Sequence, residues 1–156
     1  MKRREQARTI AIQALYQLDI RGEDFGPEMV EFIRESTKEP EVYFFARQLA
    51  EGAWLWRAEA DKLIEQAAEH WRIDRMAILD RSILRMTTFE LARCDDIPPR
   101  VAIDQAIELA KRFGAEESGS FVNGVLDKVL RILKGEGAAA DQPAPADEAE
   151  GRPKTK

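Results

Sequence analysis

Residues 97–129 read IPPRVAIDQAIELAKRFGAEESGSFVNGVLDKV, and their punctuation decides the fold. Asp95-Asp96-Ile97-Pro98-Pro99 is a loop, because two prolines in a row forbid helix there. Helix resumes near Val101 and runs to Phe113, where Gly114 stops it. Ser118 is a fitting N-cap for a last helix from Gly119 to about Leu133. Asn123-Gly124 lies inside this helical pattern, so it is no hairpin turn.

Working outward, the chain continues as helix after helix. In Arg3–Arg21, Ala7, Ile10, Ala11, Ala14, Leu15 and Leu18 recur at spacings of three and four, an amphipathic stripe that Gly22 ends. Pro27 opens a short helix with Val30 and Ile33 inward. Pro40 opens a long one, in which Val42, Leu49, Ala53, Trp56, Ala60, Ile64, Ala67 and Trp71 keep one face over about eight turns. A further helix runs from about Arg75 to Arg93, with Met76, Leu79, Ile83 and Met86 inward. Strand signals are weak, since no Asn-Gly or Asp-Gly turn sits between alternating segments, and no repeat of 20–50 residues is found. The predicted fold class is all-α.

Composition narrows the function. The 156 residues are 44% hydrophobic and 34% charged, an ordinary balance for a single globular domain. From Gly135 onward the chain reads GEGAAADQPAPADEAEGRPKTK, with no large apolar residue to offset ordering entropy. The expectation is a folded domain over 1–134 and a disordered acidic Pro-Ala tail over 135–156. No apolar run is long enough to span a membrane, and the N-terminus has no apolar core of a signal peptide, so a cytoplasmic protein of bacterial type is expected. One cysteine, Cys94, excludes an internal disulfide, and one histidine, His70, excludes a His-rich metal site. The sequence holds no GxGxxG, GxxxxGK[ST] or GxSxG. Catalysis, cofactor and metal are therefore not expected.

Net charge is −5, but residues 1–16 carry Lys2, Arg3, Arg4 and Arg8 against Glu5 alone. A helix start prefers acids, because the macrodipole is positive there. These bases are either a frayed, solubilising end or a set of phosphate contacts. Tyr16 shares a helix face with Ile12, away from the apolar stripe. It is either an exposed aromatic suited to stacking an unpaired base or a contact for another packed helix. Tyr43 and Trp54 pose a similar choice between core and a protein contact. Glu90 falls in phase with the inward stripe, and a buried carboxylate needs partners. We expect it to accept bonds from backbone amides at the start of the Pro98–Ile103 helix, a structural role.

Together, RREQARTIAIQALYQLD (3–19), ILRMTTFEL (83–91) and the 97–129 stretch resemble the NusB family of bacterial transcription antitermination factors, over nearly all of 3–134. The resemblance implies two small packed helical bundles of about seven helices. It implies binding of boxA, a short single-stranded RNA of ribosomal RNA leaders, together with NusE, a small-subunit ribosomal protein. The pair then modifies RNA polymerase so that it reads through terminators. Carried over by position, the RNA surface includes Lys2, Arg3, Arg4, Arg8, Tyr16, Phe121 and Asn123. Periodicity alone puts Phe121 at the border of the inward face; the resemblance makes it a stacking platform. The partner surface is expected around Asp80, Arg81, Arg85 and Glu117, on outer sides. Two departures from the family pattern weaken phosphate contacts: a sparser basic arm, and Ser120 where relatives often carry a base. The alternative is a helical interaction adaptor without direct RNA binding.

The resemblance also allows a homodimer through the same surface. Sedimentation at several concentrations tests this: a mass rising toward twice the monomer supports it, and monomer throughout removes it.

Overall fold

The structure is a computed structural model that describes residues 2–135. The expected acidic tail lies, apart from Gly135, outside the described residues. Seven α helices follow one another: α1 (Lys2–Arg21), α2 (Gly26–Ser36), α3 (Pro40–Leu55), α4 (Arg57–Ala67), α5 (Ile78–Arg93), α6 (Pro99–Phe113) and α7 (Ser118–Leu133). Short 3-10 turns occupy Gly22–Phe25 and Ile73–Arg75, and there is no strand among the described residues.

Local chemistry explains the boundaries. Pro27, Pro40 and Pro99 each sit in the first turn of their helix, where the missing N–H costs nothing. Gly22 takes φ +80°, a left-handed conformation that lets the chain leave α1 at low cost.

α1, α2 and α3 pack together, and α4 to α7 form the second bundle. α6 and α7 run antiparallel, with Arg100 reaching Asp127 at one end and Lys111 lying over Gly119 at the other. α5 packs against both α1 and α3 as well as α4, α6 and α7, so the two bundles share one hydrophobic core. The α1–α3 contact is built on small residues: Ala7, Ala11 and Ala14 on one side and Ala46, Ala50 and Ala53 on the other are all fully buried. Gly52 permits a similar approach of α3 to α5, since a Cβ there would stand 2.2 Å from Cζ of Phe89.

The structure corrects several expectations. The long helix from Pro40 breaks at Trp56 (φ −97°, ψ 10°), and the chain leaves α4 at Ala68. The apolar stripe stays in phase across the break, so periodicity does not show it. The break is stabilised by Arg57, whose guanidinium donates to the Trp54 carbonyl oxygen at 2.7 Å. Ser118 opens α7 but does not cap it; its hydroxyl accepts the Ala115 N–H at 3.0 Å and closes the α6–α7 loop. Gly114 ends α6 in an extended conformation. Ile12 is buried, so it is part of the core.

The largest correction concerns Arg8 and Glu90. Arg8 is 1% exposed and makes no contact with solvent that a phosphate could use. Its Nη2 donates to Glu90 Oε1 at 2.8 Å, and its Nε lies 3.1 and 3.2 Å from the two carboxylate oxygens. Glu90 is buried as expected, but its partner is this guanidinium on α1 and not the amides at the start of α6. Burial raises the Glu90 carboxyl above its ordinary range, and the hydrogen bonds and charge of Arg8 offset only part of that rise. Removing one member of such a pair leaves a lone buried charge. Arg8→Met is expected to cost about 3–5 kcal/mol in urea unfolding, and Arg8→Met with Glu90→Leu to recover most of that loss.

Candidate nucleic-acid interface

Two grooves share residues of α1, and a third is lined by chain neighbours of the second, at Asp80 next to Leu79 and Ala115 near Phe113; together they are termed the wall. The first, about 700 Å³, is lined by Lys2, Arg3, Glu5, Gln6, Thr9 and Gln13 of α1, by Glu39 before α3 and by Arg112 of α6. The second, about 280 Å³, shares Thr9 and Gln13 and continues with Tyr16, Leu79 and Phe113. The third, about 200 Å³, begins at the neighbouring Asp80 and holds Trp71, Arg75, Glu117 and Phe121.

The helix geometry explains why these groups meet. Lys2, Gln6, Thr9, Gln13 and Tyr16 recur every three or four positions, so they share one face of α1. Arg112 and Phe113 end α6, where a cation also suits the negative end of the helix dipole. Phe121 lies in the first turn of α7, and its ring meets Trp71 edge to face at 5.7 Å.

The exposed aromatic surface is substantial. Tyr16 is 39%, Phe113 46% and Trp71 52% exposed, and Phe121 is half-buried between the loop and α7. Apolar rings open to solvent beside cations are what an unpaired base and its phosphate require. Asp80 adds a polar demand: its Oδ1 is buried with no hydrogen-bond partner among the described residues. An N–H or O–H donor entering the third groove would satisfy it.

The expected residues divide. Lys2, Arg3 and Tyr16 lie on the wall, and so does Phe121. Arg3 is held by Glu41 at 2.8 Å and Glu39 at 3.4 Å, which raise its already high pKa and keep it cationic. These pairs are exposed and weak enough to exchange for a phosphate. Arg4 turns the other way, over the Phe45 ring at 4.1 Å and toward Asp96 at 3.8 Å. Arg8 is buried, as described above. Asn123 is half-buried on α7 and lines none of the three grooves. Asp80 and Glu117 share the third groove with Phe121, so expected RNA and partner residues are neighbours. Arg81 and Arg85 are not outward-facing; their side chains are 14% and 12% exposed and are held by Asp19 and Asp61.

Sequence reasoning missed Trp71, Phe113 and Arg112. Phe113 stands at a helix end just before a glycine, where its body cannot be covered by the next turn. Trp71 was expected inward because the long helix was expected to reach it. Tyr43 and Trp54 are half-buried and pack against the core, Tyr43 accepting bonds from Arg34 and Arg47 and Trp54 lying under Arg57 at 3.8 Å. The exposed aromatic of α3 is Phe44 instead.

The NusB family profile matches residues 5–131. The chain is 43% identical over 152 residues to the transcription antitermination protein NusB of Symbiobacterium thermophilum, covering 92% of this chain and 99% of that protein. The chain belongs to the NusB family. It is also 46% identical over 132 residues to the transcription antitermination protein NusB of Anaeromyxobacter dehalogenans, covering 84% and 92% of the two chains. NusB of T. maritima superposes with a TM-score of 0.73 at 34% identity, over 82% of this chain and 90% of that one. A NusB chain crystallised with NusE and double-stranded RNA gives 0.76 at 32% identity, over 85% and 98%. The NusB match thus extends over both bundles and reaches every residue of the wall except Lys2 and Arg3. No helix among the described residues is long and apolar enough to cross a membrane.

Cys94 lies outside the wall, buried at the end of α5. Burial, then the charges of Glu90, Asp96 and Asp95, push its thiol from 9.0 up to about 11. The thiol therefore stays protonated at neutral pH and is a poor nucleophile. Alkylation at pH 8 should be slow in the native protein and rise roughly 100-fold in thiolate fraction once urea unfolds it. Equal native and unfolded rates would contradict the buried placement.

Proposed function

We propose that this NusB-family chain is a transcription antitermination factor that binds the single-stranded boxA element of ribosomal RNA leaders together with NusE and helps RNA polymerase read through terminators. The functional unit is the helical domain, residues 1–134, with the acidic tail outside it. It works by binding, without catalysis or cofactor, and in the bacterial cytoplasm where the polymerase works.

The observation that carries this reading is the continuity of the wall. Lys2, Arg3 and Arg112 face the phosphates and set the position of the strand. Tyr16, Phe113, Phe121 and Trp71 take unstacked bases farther along. Asp80 and Glu117 beside Phe121 offer acceptors to a base edge or to the partner's N–H groups, so RNA and NusE meet at the third groove. Two modest affinities on one rigid body then add into a tight assembly. The sparse arm and Ser120 make the lone protein's RNA affinity depend on the partner. The adaptor alternative draws on α3, where Phe44 and Leu55 are exposed away from the three grooves.

Titration of boxA RNA and a scrambled RNA, with and without NusE, tests the proposal. Phe121→Ala is expected to cost about 1–3 kcal/mol of boxA affinity. Arg3→Ala is expected to weaken both RNAs alike and to flatten the log–log salt slope by roughly one unit. Equal binding of boxA and scrambled RNA in the presence of NusE would overturn boxA recognition, and NusE binding with no binding of either RNA would leave the adaptor reading in its place.

A further inference from the structure

We propose that Arg81 is a positioning residue for the base-stacking wall: through Asp19 and the backbone of the α4–α5 connection it sets where Trp71 and Phe121 stand relative to Tyr16. The inference rests on the RNA-binding reading above.

Each of the three nitrogens of the Arg81 guanidinium donates inward. Nε and Nη2 hold Asp19 in a two-point contact at 2.8 and 3.1 Å. Nη1 donates to the carbonyl oxygens of Ile73 at 3.1 Å and Met76 at 3.5 Å. Arg85 extends the cluster, touching Asp19 at 3.5 Å and gripping Asp61 at 2.8 and 2.9 Å. One block of side chains thus joins α1, α4 and α5. It is largely withdrawn from water, where a two-point guanidinium–carboxylate contact is directional and strong.

The block controls the wall because of what its ends carry. Asp19 lies one helical turn beyond Tyr16 on α1. The connection between α4 and α5 has a single 3-10 turn for regular structure and bears Trp71. The connection is also tethered by the Ile73 N–H, which donates to Glu65 at 3.0 Å, and by Glu69, which pairs with Lys128 of α7 across an exposed 3.7 Å contact. Trp71 is half-exposed and rests on Phe121 by its edge, so its backbone decides where its ring stands. A lysine at 81 keeps the charge but cannot serve one carboxylate at two points and two carbonyls together.

The test uses the full chain with Trp54 and Trp56 changed to Phe, so that Trp71 alone reports. Arg81→Met is expected to lower the anisotropy of Trp71 emission and to weaken boxA RNA by about fivefold to tenfold, a partial loss of stacking, with the salt slope unchanged. Arg81→Lys is expected to recover less than half of either effect. Asp19→Asn, which keeps shape, should move both readouts the same way and stands in if Arg81→Met fails to fold. A salt slope lower by about one unit would make Arg81 a phosphate contact and overturn the proposal. Full recovery by lysine, or unchanged Trp71 anisotropy, would overturn it too. If the parent protein binds no RNA, or Phe121→Ala leaves binding intact, the RNA reading fails instead, and Trp71 anisotropy alone decides the role of Arg81.

Discussion

The buried contact between Arg8 and Glu90 is the constraint on which the rest of the structure depends. It joins α1 to α5 across 82 positions of sequence. The seam between α1 and α3 is lined with alanines, and such a seam has little side-chain relief to select one register over its neighbours. A guanidinium meeting a carboxylate through three short contacts allows only one. The Phe45 ring lies within reach of both Arg8 and Arg4, so the pair also fixes the approach of α3. With α1 held in rotation and height, its other face presents Lys2, Gln6, Thr9, Gln13 and Tyr16 as one line.

In the proposed function, that line lets an acidic chain carry a nucleic-acid surface. Net charge acts at long range and is screened within about 10 Å at 0.1 M salt. What a strand meets at contact is a groove with Lys2, Arg3 and Arg112 leading to open rings. On that reading, cations would give position, rings would give grip, and the unsatisfied Asp80 oxygen would give a preference for a donor. The wall is built from α1, α5, α6, α7 and the α4–α5 connection, and no single helix contains enough of it to bind alone.

Two arginines beside acids show how unlike roles arise from like residues. Arg3 and Arg8 belong to the same basic arm in the sequence, yet one is exposed and the other sealed. Arg8 stands four positions before Ile12 and one after Ala7, on the border of the apolar stripe, and α5 happens to offer a carboxylate there. Arg81 follows the same logic on the opposite side of α5. Charge on a helix surface becomes structure wherever a second helix brings an acid to it and excludes water.

The amino-acid sequence was enough to show the helical stretches, their proline starts, the glycine after α1 and a buried acid at position 90. Those features rest on backbone dihedrals and on a 3.6-residue period, which neighbours in the chain are enough to set. It also determined family membership, since the stretches at 3–19, 83–91 and 97–129 are long and specific. The break at Trp56, the partner of Glu90, the burial of Arg8 and the exposure of Trp71 and Phe113 come from the packing of helices on one another. Each of these depends on which helix lies opposite, and a contact between residues far apart in sequence leaves no periodic trace in either segment.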